Sequence, residues 1–360
     1  MLETWLFRML LLTVIMGTLH RPLPAESLNL SSRVIRIQAG DDPSRAPVVS
    51  SVRLHPNGRW IALGGDDHLV RLWDLKARQI VREFDGHRDW VETLAFSPDG
   101  VQLVTGGRDR QVLLWDVASG DRLATWNDLN GAVADVRFNH AGSRIAVVGF
   151  SNELRLYDTK DCELVQRLNC PCRDIRCAAF SPDDRWLAVG GRNGRVRIWD
   201  LVQGREVQTF AAHRQRIRAI TFDRRGQHVI TAGEDRAIRA WDIYSGNNLF
   251  SLSNSSGRVF SMTALPNARL ATACSDNMIR IWDLVDQSML TQLRGHTGSV
   301  ATLDVNDTWL VSGGFDTTIR LWNLEELDRS ITANLQGTNE PISKVPPANT
   351  TQPTSLERDR

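Results

Sequence analysis

The chain has 360 residues, 42% of them hydrophobic, and its 43 basic residues are almost matched by 42 acidic ones. That balance excludes a global field drawing the protein to nucleic acid or to an anionic membrane, and leaves only local electrostatic preferences. The basic side is nearly all arginine, with lysine only at Lys76, Lys160 and Lys344, which favours planar, forked contacts with carboxylates and phosphates.

The first predicted element is an apolar run at residues 9–19 (MLLLTVIMGTL), followed by HRPLPAES, where Ala25 could end a cleavable segment. It resembles a secretory signal peptide and is short for a membrane span, although Glu3, His20 and Arg21 suit that pattern poorly. Residues 1–32 are therefore read as a signal or anchor segment and linker, which points to export or membrane tethering. The alternative is a cytoplasmic chain with a misplaced start or an accessory helix. Residues 33–38 (RVIRIQ) then read as a β-strand.

From residue 48 a unit of about forty residues recurs. Its mark is Trp73-Asp74, Trp115-Asp116, Tyr157-Asp158, Trp199-Asp200, Trp241-Asp242, Trp282-Asp283 and Trp322-Asn323, at steps of 42, 42, 42, 42, 41 and 40 residues. In the unit ending at Trp115, the run WVETLAF is followed by the turn Ser97-Pro98-Asp99-Gly100, a second run, a turn at residues 106–110, the run QVLLWD, and a fourth run from Asp121. That is a four-stranded meander. One such sheet cannot cover both of its apolar faces, so neighbouring copies must stack. Trp60, Trp186 and Trp309 repeat in a second register, and both tryptophan registers are read as packing.

The pattern resembles the WD-repeat (WD40-type) β-propeller family over about residues 34–323. The resemblance implies an all-β fold: a seven-bladed β-propeller of four-stranded antiparallel blades around a channel, spanning residues 33–338. It also implies that an N-terminal strand closes the ring, and RVIRIQ is assigned that role. Residues 331–336 (ITANLQ) compete for the same place, but their Asn and Ala make them the weaker strand former. Residues 339–360, rich in Pro, Thr, Asn and charge, are expected to be disordered.

Three units carry a His, a hydroxyl, an Asp and a Trp at fixed spacing. They are His87, Thr105, Asp109 and Trp115; His213, Thr231, Asp235 and Trp241; and His296, Ser312, Asp316 and Trp322. A catalytic triad uses the same residue types. Threefold repetition in one register, ending on an indole, instead resembles the structural tetrad of the family. Elsewhere Leu63 and Val189 replace the hydroxyl, Ser151 and Asn193 the Asp, and Tyr157 the Trp. Blades two, five and seven are therefore expected to be the stiffest, and blade three the least well tied.

No catalytic, cofactor or metal constellation stands outside the repeat, so the chain is read as a non-enzymatic scaffold for protein binding. Cys162, Cys170, Cys172 and Cys177 are too far apart along strands to share a zinc ion, and a Cys170 to Cys172 bridge would close a very tight ring. In the family, ligand contacts come from residues flanking the first strand's leading apolar residue and from the residue before the turn Asp. Those places hold Trp90, Glu92, Arg108, Phe150, Arg176, Arg192, Arg216, Arg218, Arg258, Phe260 and Phe315. Arginine and large aromatics anchor interfaces, and the expected partner is an acidic or phosphorylated peptide segment of a protein. The competing reading pairs these arginines with Glu92, Asp174 and Glu234 of the same rim. Two further alternatives are a nucleic-acid-associated subunit using the same arginines on phosphates and, at a greater remove, a propeller-based enzyme.

Overall fold

The computed structural model describes residues 27–28, 30–37, 46–171, 174–253 and 256–337. The apolar run at residues 9–19, Ala25, Cys172 and the tail at residues 339–360 lie outside them. Seven sheets stand side by side, each built on four antiparallel strands, which in blades one to six follow one another from the channel outward. In blade two these are Val91–Phe96, Gln102–Gly107, Val112–Asp116 and Arg122–Trp126. The first strands of the blades line the channel.

Both faces of the middle strands are apolar, so the seams between blades form the core. Between blades one and two, Ala62, Val70, Leu72 and Phe84 pack on Val91, Leu94, Leu103, Leu113 and Trp115. Burying a side chain of this size contributes about 1.5–3 kcal/mol, and the contribution recurs at each seam. In the Trp-Asp marks, the Asp holds the turn that follows. Asp74 Oδ1 accepts the N–H groups of Lys76 (2.8 Å) and Ala77 (2.7 Å), and Asp200 Oδ1 those of Val202 and Gln203 (both 2.9 Å).

Blade seven is closed by the N-terminal strand Arg33–Arg36, antiparallel to Thr318–Asn323 with Ile35 opposite Ile319. Ile35 and Ile37 are buried with Val52, Leu54, Val311 and Leu321, joining blade seven to blade one. The competing segment is not a strand. Residues 331–336 belong to helix α1 (Leu324–Gly337). Its Leu324, Leu327 and Ile331 fall on one helical face and are buried, while Glu325 and Glu326 occupy the N-terminal turn, where they suit the helix dipole.

Two further differences from the sequence reading stand out. Ser27–Leu28, assigned to the linker, runs parallel to Ser288–Leu293 and adds a fifth strand to blade six, using an edge that would otherwise be unpaired. Cys170 is disulfide-bonded, where no bridge was expected, and Cys162 and Cys177 are free.

Candidate functional site

Every blade carries an irregularity of register where its first strand meets its second, between Val49 and Ser51, Val91 and Thr93, Val133 and Asp135, Ile175 and Cys177, Ile217 and Ala219, Val259 and Ser261, and Val300 and Thr302. The skipped residues are Ser50, Glu92, Ala134, Arg176, Arg218, Phe260 and Ala301. An extra residue in one strand turns its side chain out of the ladder, here into the channel mouth. The partner strand must approach closely at this level, and Gly149 and Gly191 permit it. A Cβ on either would lie 2.2 Å from Ala132 O or 2.0 Å from Asp174 O.

The mouth is a cavity of about 520 Å³ lined by Trp90, Glu92, Arg108, Phe150, Arg176, Arg218, Phe260 and Phe315, with small residues between them. Of the positions expected from the sequence, Arg192, Arg216 and Arg258 stand outside this lining. Phe150 and Phe315 are 42% and 47% exposed.

The arginines at the mouth are held on two sides. Arg108 pairs with Glu92, with its Cζ 4.3 Å from the Trp90 ring centre. Arg176 pairs with Asp174 and lies 3.7 Å from the centre of Phe150. Arg218 pairs with Glu234 at 2.7 Å and lies 5.9 Å from the centre of Phe260. Arg216 bridges Asp174 (3.4 Å) and Glu234 (3.3 Å). The pairing that the sequence offered as the competing reading is present at these four, because carboxylates of the same or the preceding blade lie within reach. Burial pushes Glu234 up, but the hydrogen bond and charge of Arg218, with Arg216, hold it below the usual carboxylate range. Arg192 and Arg258 are exposed and form no ion pair among the described residues.

The three tetrads are complete. In blade two, His87 Nδ1 donates to Asp109 (2.9 Å), leaving Nε2 to accept from the Thr105 hydroxyl (2.8 Å). That oxygen accepts the Trp115 indole N–H (3.0 Å). Blade five repeats this with His213, Asp235, Thr231 and Trp241 at 2.7, 2.8 and 3.0 Å, and blade seven with His296, Asp316, Ser312 and Trp322 at 3.0, 2.8 and 3.1 Å. The hydroxyls are fully buried, away from the mouth, and each ends on an indole, an arrangement that ties strands together. Where Leu63 and Val189 replace the hydroxyl, the indole N–H groups of Trp73 and Trp199 are buried without an acceptor.

Sequence reasoning missed a second recurring residue, the arginine two places before the Trp mark. In blades one and six, which have no tetrad, it takes the turn Asp itself: Arg71 with Asp67 at 2.6 Å, Arg280 with Asp276 at 2.5 Å. In blade three, Arg155 joins Asp128 (2.8 Å), Glu153 (3.3 Å) and the Tyr157 hydroxyl (3.4 Å), a network that substitutes for the tetrad. Its signal was present in the repeat: Arg71, Arg155, Arg197, Arg239, Arg280 and Arg320 occupy one register.

The fold and its tetrads define a class of interaction scaffold, and comparison with known proteins gives the family. A profile described as the IFT122 first beta-propeller matches residues 48–274, and one described as WD domain, G-beta repeat matches residues 287–323. The chain belongs to the WD-repeat β-propeller family. It is 31% identical over 67 residues to the general transcriptional corepressor TUP1 of Saccharomyces cerevisiae, covering 19% of this chain and 9% of that protein. It is 33% identical over 85 residues to the nuclear distribution protein PAC1 of Scheffersomyces stipitis, covering 22% of this chain and 16% of that protein. The chain thus spans a small part of either relative. WD-repeat propellers are in general non-enzymatic scaffolds that bind proteins.

Proposed function

We propose that the upper mouth of the channel binds an acidic or phosphorylated segment of a partner protein. One observation carries this reading. Around the mouth, Arg108, Arg176, Arg192, Arg216, Arg218 and Arg258 outnumber Asp66, Glu92, Asp174 and Glu234, and exposed Phe150 and Phe315 stand among them. Internal pairing leaves the surplus of positive charge in place, and it holds Arg108 and Arg176 over aromatic rings before any ligand arrives. A binder whose side chains are already ordered loses less entropy on association. Phe150 and Phe315 serve as apolar anchors, while Arg192 and Arg258 meet carboxylate or phosphate.

The test is selection from a peptide library on the immobilised full chain, followed by titration of the enriched peptides against variants. Enrichment of Asp, Glu or phosphorylated residues beside an apolar residue is expected. Phe150→Ser with Phe315→Ser should weaken binding about tenfold or more, as for lost anchor residues. Arg192→Glu with Arg258→Glu should do the same for acidic peptides only. Unchanged affinity in both variants would place the partner elsewhere.

A further inference from the structure

Below the mouth the channel holds a second concentration of arginine. Arg53 and Arg137 occupy the same register of the first strands of blades one and three, opposite Ala62 and Ala146, and Ala95 of blade two stands between them. Both line a narrower cavity of about 100 Å³, bordered above by Arg176 and Arg218. The carboxylates in that lining are Glu92, which pairs with Arg108 outside it, and Asp135.

Neither lower guanidinium is saturated by protein. Arg53 Nη1 donates to Val52 O (2.7 Å) and to the Thr302 hydroxyl (3.1 Å), but its Nε is buried without an acceptor, and the residue forms no ion pair among the described residues. Arg137 is held to Asp135 through Nε alone (3.2 Å), and its side chain is 37% exposed within the channel. The nearby carboxylates, Asp135 and Asp304, offset part of the charge of both arginines and also accept from other groups. Asp304 Oδ2 accepts the Leu54 N–H (2.7 Å), and Asp135 also accepts the Ala178 N–H (3.1 Å) and the Thr93 hydroxyl (3.3 Å). The charge of Arg137 bears on Arg53 as well: burial first, and then Arg137, push Arg53 below its ordinary value. Like charges facing across a confined space, with donors to spare, are stabilised by an anion between them. The volume suits one. The space is well above the ~10–15 Å³ of this measure that admits one water, which leaves room for a small oxyanion.

We propose that this stretch of the channel binds a tetrahedral oxyanion between Arg53 and Arg137. It enters either as a free phosphate or sulfate or as the phosphomonoester of a partner's side chain. The site does not depend on what the rim holds, since it uses guanidinium groups below the mouth.

The experiment titrates the full chain with inorganic phosphate, with phenyl phosphate, and with sodium chloride at matched ionic strength. Binding is read by phosphorus NMR line broadening and by Tm. Saturable broadening and a Tm rise of a few degrees beyond the chloride control are expected with inorganic phosphate. Arg137→Gln, on a side chain that reaches channel water, should weaken half-saturation about tenfold, the loss typical of one hydrogen bond to a charged group. Arg53→Gln should do likewise, and the NMR readout keeps the test independent of any stability it loses. Tighter binding of phenyl phosphate assigns the anion to a partner side chain, and equal or weaker binding assigns it to a free ion. A response no greater than chloride's, or one that persists in both variants, overturns the proposal. Retention of rim-peptide binding in Arg137→Gln separates this site from the rim.

Discussion

Asn323 accepts the backbone N–H of Glu326 on its Oδ1 at 3.0 Å. At the same place in the other blades an Asp holds a short turn leading into a fourth strand; here an amide caps a helix, and the fourth strand comes from the other end of the chain. Asn323→Ala should cost about 0.5–2 kcal/mol, and Asn323→Asp, which keeps the acceptor, should cost little. Ile35→Ala, on the strand that replaces it, should cost about 2–5 kcal/mol as a buried truncation. Urea unfolding with an unchanged slope would check all three.

Thr105 and Val189 occupy one register in blades two and four, with opposite consequences. Thr105→Val strips Trp115 and His87 of their shared partner and should cost about 1–3 kcal/mol. Val189→Thr places a hydroxyl beside the orphaned Trp199 indole. It should be neutral, or gain about 1 kcal/mol, where a buried hydroxyl without a partner would be destabilising. Thermal melts of the two variants should therefore shift differently.

Acid should dismantle the tetrads. Burial pushes Asp109 and Asp316 up, but hydrogen bonds from the paired histidine and from backbone N–H groups outweigh it, so both lie below their ordinary value; burial holds His296 low. Both kinds of shift act in one direction. A group with a depressed folded pKa contributes stability above its unfolded value and loses it as pH falls toward the folded one. Stability should be level above pH about 7, fall first below about 6.5, the unfolded histidine value, and fall again below about 4. His296→Asn should weaken the first step in a series of melts across pH.

Asp304 runs the other way. Burial raises it above its ordinary value, ahead of the opposing charge of Arg53 and the Leu54 N–H. Its contribution is complete at low pH and is lost as pH rises through the folded value. Asp304→Asn keeps an acceptor for Leu54 and should raise Tm by a few degrees at pH 7, with the gain shrinking toward pH 4. A variant less stable at both pH values would show that its charge is needed in the channel.

Hydrogen exchange should show blades two, five and seven as the best protected. Blade three tests the substitute network: Arg155→Met should lower its protection more than that of its neighbours.

The ring was legible because Trp115 and its counterparts are spaced by the repeat itself, and closure by residues 33–36 followed from the family resemblance and from the weaker strand propensity of residues 331–336. The residues skipped in the first strands could be placed from the family resemblance, because they fall 23 residues before the mark in blades one to five, 22 in blade six and 21 in blade seven. The pairing of the rim arginines with Glu92, Asp174 and Glu234 was open only as the competing reading, and the contacts that cross blades were not legible. Arg216 reaches Asp174 from the next blade and Arg176 stacks on Phe150 of the blade before, and both contacts depend on how blades sit beside each other. Helix α1 escaped because residues 331–336 were judged only as a strand, whereas the period that buries Leu324, Leu327 and Ile331 begins at Asn323. Arg53 and Arg137 lie only three residues beyond the rim position Ser50 and its counterpart Ala134, and following that register further down the strands would have found them.

The strand at residues 33–36 leaves the ribosome before any of the seven blades, and its partner Thr318–Asn323 only after six of them. Six blades must wait beside an unfinished seventh while synthesis runs, with the Ile319 face uncovered until both ends meet. Closing that gap joins residues as far apart in sequence as Ser32 and Arg320, 288 positions, and contacts of that range are the slow kind to form. The completed ring is thus a check on length: a chain that stops before Asn323 displays an open edge to whatever surveys unfinished proteins.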